Sequence, residues 1–356
     1  MDSTFTRWYR TIRLISPTLA SGNPLERVNY TRQYTYDRGG NLMTTQHSGA
    51  AAYSLHMQVS ATSNHALQQT RSSYLMAGDV DASFDACGNL LQLTPGTQPL
   101  VWDGHNQLQR VTLVARKGSD DDRESYQYGG DGMRARKYGN YLLDGASQSR
   151  RTEEVIYLPG LELRTLQSGS ATEQLDVITA GDAGRCQVRV LHWSTGKPDA
   201  IDNDELRYSL DNHLGSSRME LDSDANVLTY EEYYPYGGTA VWAGKNESEV
   251  KYKYLRYSGK ERDTTGLYDY GYRYYAPWLG RWINPDPGGT VDGSNLYRMV
   301  QNNPIKLIDV SGFAPGRLDY LDLAPAPGKE AVMTVLRESN GASGEGYRGF
   351  DPIAKE

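Results

Sequence analysis

Residues 256–315 read RYSGKERDTTGLYDYGYRYYAPWLGRWINPDPGGTVDGSNLYRMVQNNPIKLIDVSGFAP. The segment lacks the 3.6-residue apolar period of a helix, and its Tyr, Gly, Arg and Asp content suits short extended runs broken by tight turns. Two of its aspartates, Asp286 and Asp309, each stand just ahead of a glycine-bearing turn, 23 positions apart (309 − 286). Tyr268, Tyr270, Tyr272 and Tyr274 alternate, which in one strand would set four rings on one face. Such a stripe serves either packing between strands or the stacking of sugars; its continuity with the aspartate-bearing turns favours packing.

The rest of the chain agrees with an all-β protein. Among 356 residues the hydrophobic fraction is 38%, and 27 Tyr stand against 4 Phe. Tyrosine buries a ring while its hydroxyl still needs a partner, so the composition suits sheets with one wet face. A six-residue template recurs as DRGGNL (Asp37 to Leu42), DACGNL (Asp85 to Leu90) and DGHNQL (Asp103 to Leu108). Each copy follows an aromatic-bearing strand-like run and precedes another extended run. The pattern predicts hairpins: Asp bonds the turn backbone, Gly or Asn accepts positive φ, and Leu resumes the inner face. Glu153 to Leu166 reads as two further strands joined by Pro-Gly. One hairpin is marginal in water, so repeated hairpins imply stacking, although the uneven spacing also fits a generic β-sandwich.

Several function classes are disfavoured. A net charge of −7 argues against wholesale nucleic-acid binding. Cys87 and Cys186 form no metal-ligand or disulfide-scaffold pattern, and the six histidines form no HExxH; no metal or cofactor is expected. No stretch reaches the roughly 20 apolar residues of a membrane helix, so no direct membrane insertion is expected. The first residues make a poor secretory signal. The divisions expected are a lead-in at 1–30, hairpin repeats at 31–250, a core segment at 251–313 and a variable tail at 314–356. Polar and acidic interruptions are expected at Gln46 to Ser72 and Ser119 to Glu124, and a short helix at Glu330 to Glu338.

The motifs GRWINPDP, NLYRMVQNNP and DVSG, in that order, resemble the RHS-associated core that closes RHS/YD-repeat shells. YYPYGGTAVWA (Tyr233 to Ala243) and RYSLDNHLGSSRMEL (Arg207 to Leu221) are similar to the C subunit of insecticidal toxin complexes (TccC-like), and the resemblance covers roughly 30–316. It implies YD-repeat hairpins forming part of a curved shell, or cocoon, completed by a B-type subunit and linked through it to an A-type translocation pore. It also implies a secreted or extracellular toxin complex, reached without a recognisable signal peptide. Such a core cuts its own chain. Peptide hydrolysis by two carboxylates needs one ionised to activate water and one protonated to polarise the carbonyl. The resemblance assigns that pair to Asp286 and Asp309, with Arg281 orienting or charge-stabilising one of them, and places the cut between Phe313 and Ala314. Val310 and Phe313 depart from the Pro and Leu common there.

Asp292, in VDGS, is expected to be an ordinary turn aspartate. Family C subunits carry a longer repeat region, so the chain looks like a C-terminal half, and 43 residues (356 − 313) after the cut are few for an enzymatic toxin. Two other classes stay open: a non-catalytic structural or adhesive YD-repeat protein, and a glycan-binding β-protein.

Overall fold

The structure is a computed structural model that describes residues 29–316, except 50–51, 70–74, 95, 145–148, 185–186 and 314. Its repeating unit is a turn. At Asp37, Asp85, Asp103, Asn212 and Asp222, the first residue's N–H bonds the carbonyl four positions on. The fourth residue's N–H returns to the first carbonyl. A side-chain oxygen of the first residue accepts the fifth residue's N–H at 2.8 to 3.0 Å. This is the three-residue hairpin loop whose fourth position must be left-handed. Gly88 meets that demand at φ 86°, but Asn106 and Ala225 meet it with side chains, at φ 60° and 63°. The template leucines Leu42, Leu90 and Leu108 are all buried immediately after their turns.

Turns of this kind stack on one another through their own amides. Asn89 Nδ2 donates to Asn106 Oδ1 at 2.9 Å, and Asn41 Nδ2 donates to Asn64 Oδ1 at 2.9 Å. Polar side chains thus tie neighbouring hairpins at their ends, while the leucines tie them through the core.

The strands Thr31–Tyr36, Leu42–Ser48, Tyr53–Val59 and Ala66–Gln68 form a four-stranded sheet in chain order. Thirteen more, from Gln92–Thr94 to Thr239–Gly244, form a second sheet, also in chain order. Along Ser149–Leu158 and Leu161–Ser168, Leu158 faces Leu161 across the Pro-Gly turn. Period-two patterning separates the faces: Val155, Val177 and Leu191 are buried, whereas Ile156, Leu158 and Ile178 are exposed.

The polar stretch at Gln46 to Ser72 does not interrupt the repeats as expected. It holds the strands Tyr53–Val59 and Ala66–Gln68, which bury Met57, Ala66 and Leu67, while the neighbouring His47 is buried between the rings of Tyr30 and Tyr53. Likewise Asp122 opens the strand Asp122–Tyr128, its carboxylate taken up by Arg116 and Arg150. Cys87 is an exposed free thiol; Cys186, the Glu330 to Glu338 helix and the lead-in through residue 28 lie outside the described residues.

The core segment lies against the buried face of the large sheet, and charge joins the two. Arg134, on the strand Arg134–Asp144, reaches Glu261 (2.8 Å), Asp263 (2.7 Å) and Asp269 (3.1 Å). Lys137 pairs with Glu261 (2.5 Å) and Asp263 (2.8 Å), and Arg164 adds a contact to Glu261 at 3.2 Å. Tyrosine hydroxyls seal the contact, as between Tyr128 and Tyr274 at 2.8 Å.

The tyrosine alternation is broken by a turn. Tyr268–Asp269 and Tyr274–Ala276 are antiparallel strands, and the chain reverses between them at Gly271 (φ 101°). Tyr268, Tyr270 and Tyr274 are buried and Tyr272 is exposed, so no four-ring face exists.

Candidate active site

The reversal at 270–273 sets up the site. Arg273 leaves it pointing inward, 2% exposed, with its guanidinium carbon 4.2 Å from the Trp282 ring centre. Its Nη1 lies 3.0 Å from Asp286 Oδ2, and its Nη2 lies 2.9 Å from Asp309 Oδ2. Nε donates to the Gly312 carbonyl at 2.7 Å. One planar fork therefore holds the two aspartates together with the backbone that follows the second.

Each aspartate is also tied to its own turn. Asp286 Oδ1 accepts the Gly288 N–H at 2.8 Å. Asp309 Oδ1 accepts three N–H groups, from Ser311 (3.1 Å), Gly312 (2.7 Å) and Phe313 (3.2 Å). The strands Ile308–Asp309 and Pro315–Gly316 then pair antiparallel, Asp309 opposite Pro315. This tight wrap requires Gly312: at φ 73°, a Cβ there would stand 2.8 Å from the Arg273 nitrogen. Phe313 rests edge-on against Tyr272, ring centres 5.9 Å apart, and remains 42% exposed. Ala314 lies outside the described residues.

The charges at the site do not balance. Two carboxylates, 6% and 1% exposed, share one guanidinium. Burial pushes Asp286 above the ordinary carboxylate range; Arg273 opposes that shift and the neighbouring Asp309 adds to it. Burial likewise lowers Arg273 from the usual arginine value.

The structure brings Asp286, Asp309 and Phe313 together, but Arg281 is elsewhere. Its guanidinium donates to the Asn64 carbonyl and lies 5.2 Å from the Tyr297 ring centre, and burial pushes it down to about 10. Arg273 occupies the place expected of it. Arg273 stands between the exposed Tyr272 and the buried Tyr274, so its neighbours in sequence did not mark it as buried; once buried, a guanidinium needs carboxylates. Asp292 sits in a one-turn 3-10 helix, Gly289–Asp292, as a turn residue.

An all-β wall of stacked hairpins, covered by a core segment that buries a guanidinium-bridged aspartate pair, defines the class. Residues 50–96 match the family described as Tripartite Tc toxins repeat. Toxin subunit YenC2 of Yersinia entomophaga is 49% identical over 321 residues, covering 89% of this chain and 32% of that protein. The crystal structure of TcdB2-TccC3 superposes with a TM-score of 0.76 at 56% identity, over 80% of this chain and 14% of that one. A Photorhabdus luminescens Tc holotoxin pore gives a TM-score of 0.76 at 55% identity, over 81% and 13%. The chain belongs to the RHS/YD-repeat proteins of the Tc toxin C type. It spans about a third of the length of the curated relatives it matches, 32% and 31%. Among the described residues no helix is long and apolar enough to cross a membrane.

Proposed function

We propose that the chain is shell wall from a Tc toxin C-type subunit and that its core cuts it once, between Phe313 and Ala314. The observation that carries this reading is the Arg273 fork, which holds Asp286, Asp309 and the Gly312 carbonyl within 3.0 Å of its nitrogens. Asp309 takes a proton from water as the water oxygen attacks the Phe313 carbonyl carbon. Asp286 gives its proton to the Ala314 nitrogen as the C–N bond breaks, leaving a carboxylate at Phe313 and an amine at Ala314. The substrate is the enzyme's own turn, already fixed by three bonds to Asp309, so effective molarity replaces a binding pocket and one turnover is enough.

Partners follow from the relatives. TcdB2 and TccC3 are found together in one structure, and a Tc holotoxin pore shares the fold. We assign this chain a B-type partner that completes the shell, an A-type pore beyond it, and a place outside the producing cell. The burial of three of the four alternating tyrosines supports packing over sugar stacking. The test is intact mass of the chain, expressed alone and with a B-type subunit. Wild type should split after Phe313, and Asp286→Asn and Asp309→Asn should stay whole. A wild type that stays whole under both conditions removes the proposal and leaves an inert shell.

A further inference from the structure

Four buried arginines, Arg134, Arg189, Arg207 and Arg273, each face at least one buried carboxylate, whereas the buried Arg281 bonds a backbone carbonyl instead. Arg32 and Arg262 are half-buried and also lack an acid. Among the described residues neither forms an ion pair; Arg32 bonds His47 at 3.1 Å and the Tyr53 hydroxyl, and its guanidinium carbon lies 3.4 Å from the Tyr234 ring centre. Both arginines line the same cavity of about 260 Å³, between the four-stranded sheet and the core segment. Its walls include Tyr34, Tyr53, Tyr234 and Trp278, and no acidic residue lines it. The Tyr34 hydroxyl is buried beside the Arg32 guanidinium. Burial raises Tyr34 above the ordinary tyrosine value, so it remains a proton donor at neutral pH.

We propose that this cavity binds a small planar carboxylate carried on an aromatic ring. Two guanidinium groups without acids and the Tyr34 hydroxyl supply the anion's donors, and the aromatic walls take the ring by stacking and edge contacts. The volume falls below the roughly 300–1,000 Å³ of drug-sized sites, which limits the ligand to about one ring. Arg32 is already fixed by His47, Tyr53 and Tyr234, so it serves as a prepared half of the site. Arg262 is the half that the ligand engages. The site is separate from the aspartate pair and does not depend on cleavage.

Calorimetric titration of the chain with benzoate, benzamide and acetate tests this. Benzoate should give a saturable heat, at least tenfold tighter than either benzamide, which lacks the charge, or acetate, which lacks the ring. Arg262→Met should weaken benzoate at least tenfold while leaving the melting temperature unchanged, and Tyr34→Phe should weaken it about threefold. Tyr34→Phe also keeps the question open to measurement if Arg262→Met fails to fold. A benzoate heat equal to that of benzamide or acetate overturns the proposal. So does binding that both variants leave untouched. An N-acetylglutamate amide that matches benzoate would show that the charge alone is read, and would overturn the aromatic requirement.

Discussion

Two buried charge clusters in the core segment use the same residue types to opposite ends. Around Glu261, Arg134, Lys137 and Arg164 converge on one carboxylate, which their charges hold well below the ordinary range against the cost of burial. At Asp286 a single Arg273 serves two carboxylates, and burial wins. The contrast lies in how many cations each acid has. Asp269 obeys the same rule: it shares Arg134 with Glu261 and Asp263, and burial pushes it upward too. An acid with ample cations is held ionised as a structural rivet, whereas burial raises an acid that must share one.

The largest break in this comparison comes from the shared cation. Asp286→Asn or Asp309→Asn should lower the rate of chain cleavage by at least about 100-fold, as expected when a positioned acid or base is lost. Intact mass against time after refolding measures it. Arg273→Met should stop cleavage and also destabilise the fold, because it strands two buried carboxylates.

Next comes the rivet. Glu261→Gln leaves Lys137, Arg134 and Arg164 short of a counter-charge and should cost about 3–5 kcal/mol, read from urea denaturation. Cleavage in the folded fraction should continue. Equal loss of cleavage in Glu261→Gln and Asp286→Asn would erase the distinction between the clusters.

A third case extends the rule away from both clusters. Glu205 and Glu249 share Arg207 at 3.6 and 3.4 Å, and burial pushes Glu205 up to about 7. Because the folded value lies above the unfolded one, this group's contribution is fully present below about pH 4.5. It is lost as pH rises toward 7. Glu205→Gln should flatten that part of the stability–pH curve, measured by urea midpoints between pH 4 and 8.

The smallest effect involves backbone alone. Ala225 holds a left-handed turn position that Gly88 fills without a side chain. Ala225→Gly should raise stability by about 0.5–1 kcal/mol through relief of that conformation. Cleavage should not change.

Much of this was legible in the sequence. The Asp-x-x-Gly-Asn-Leu template stated its turn chemistry residue by residue, and the buried Leu42 and Leu90 follow from it. The turn roles of Asp286 and Asp309 were legible because each precedes its own glycine-bearing turn. Arg281 was misread because a sequence motif gives adjacency along the chain, whereas the partner of both acids is set by the reversal at Gly271, which swings Arg273 inward. The strands at Tyr53–Val59 and Ala66–Gln68 were hidden too. Tyr53, Leu55, Met57 and Val59 do alternate with polar residues, but the polar residues on either side of that short run masked it.

N-terminal sequencing of whatever fragment the purified wild-type chain releases bears most directly on the central claim. The account predicts a single new terminus at Ala314, absent when either Asp286 or Asp309 is Asn. A terminus at any other position, or one that persists in both variants, would contradict it.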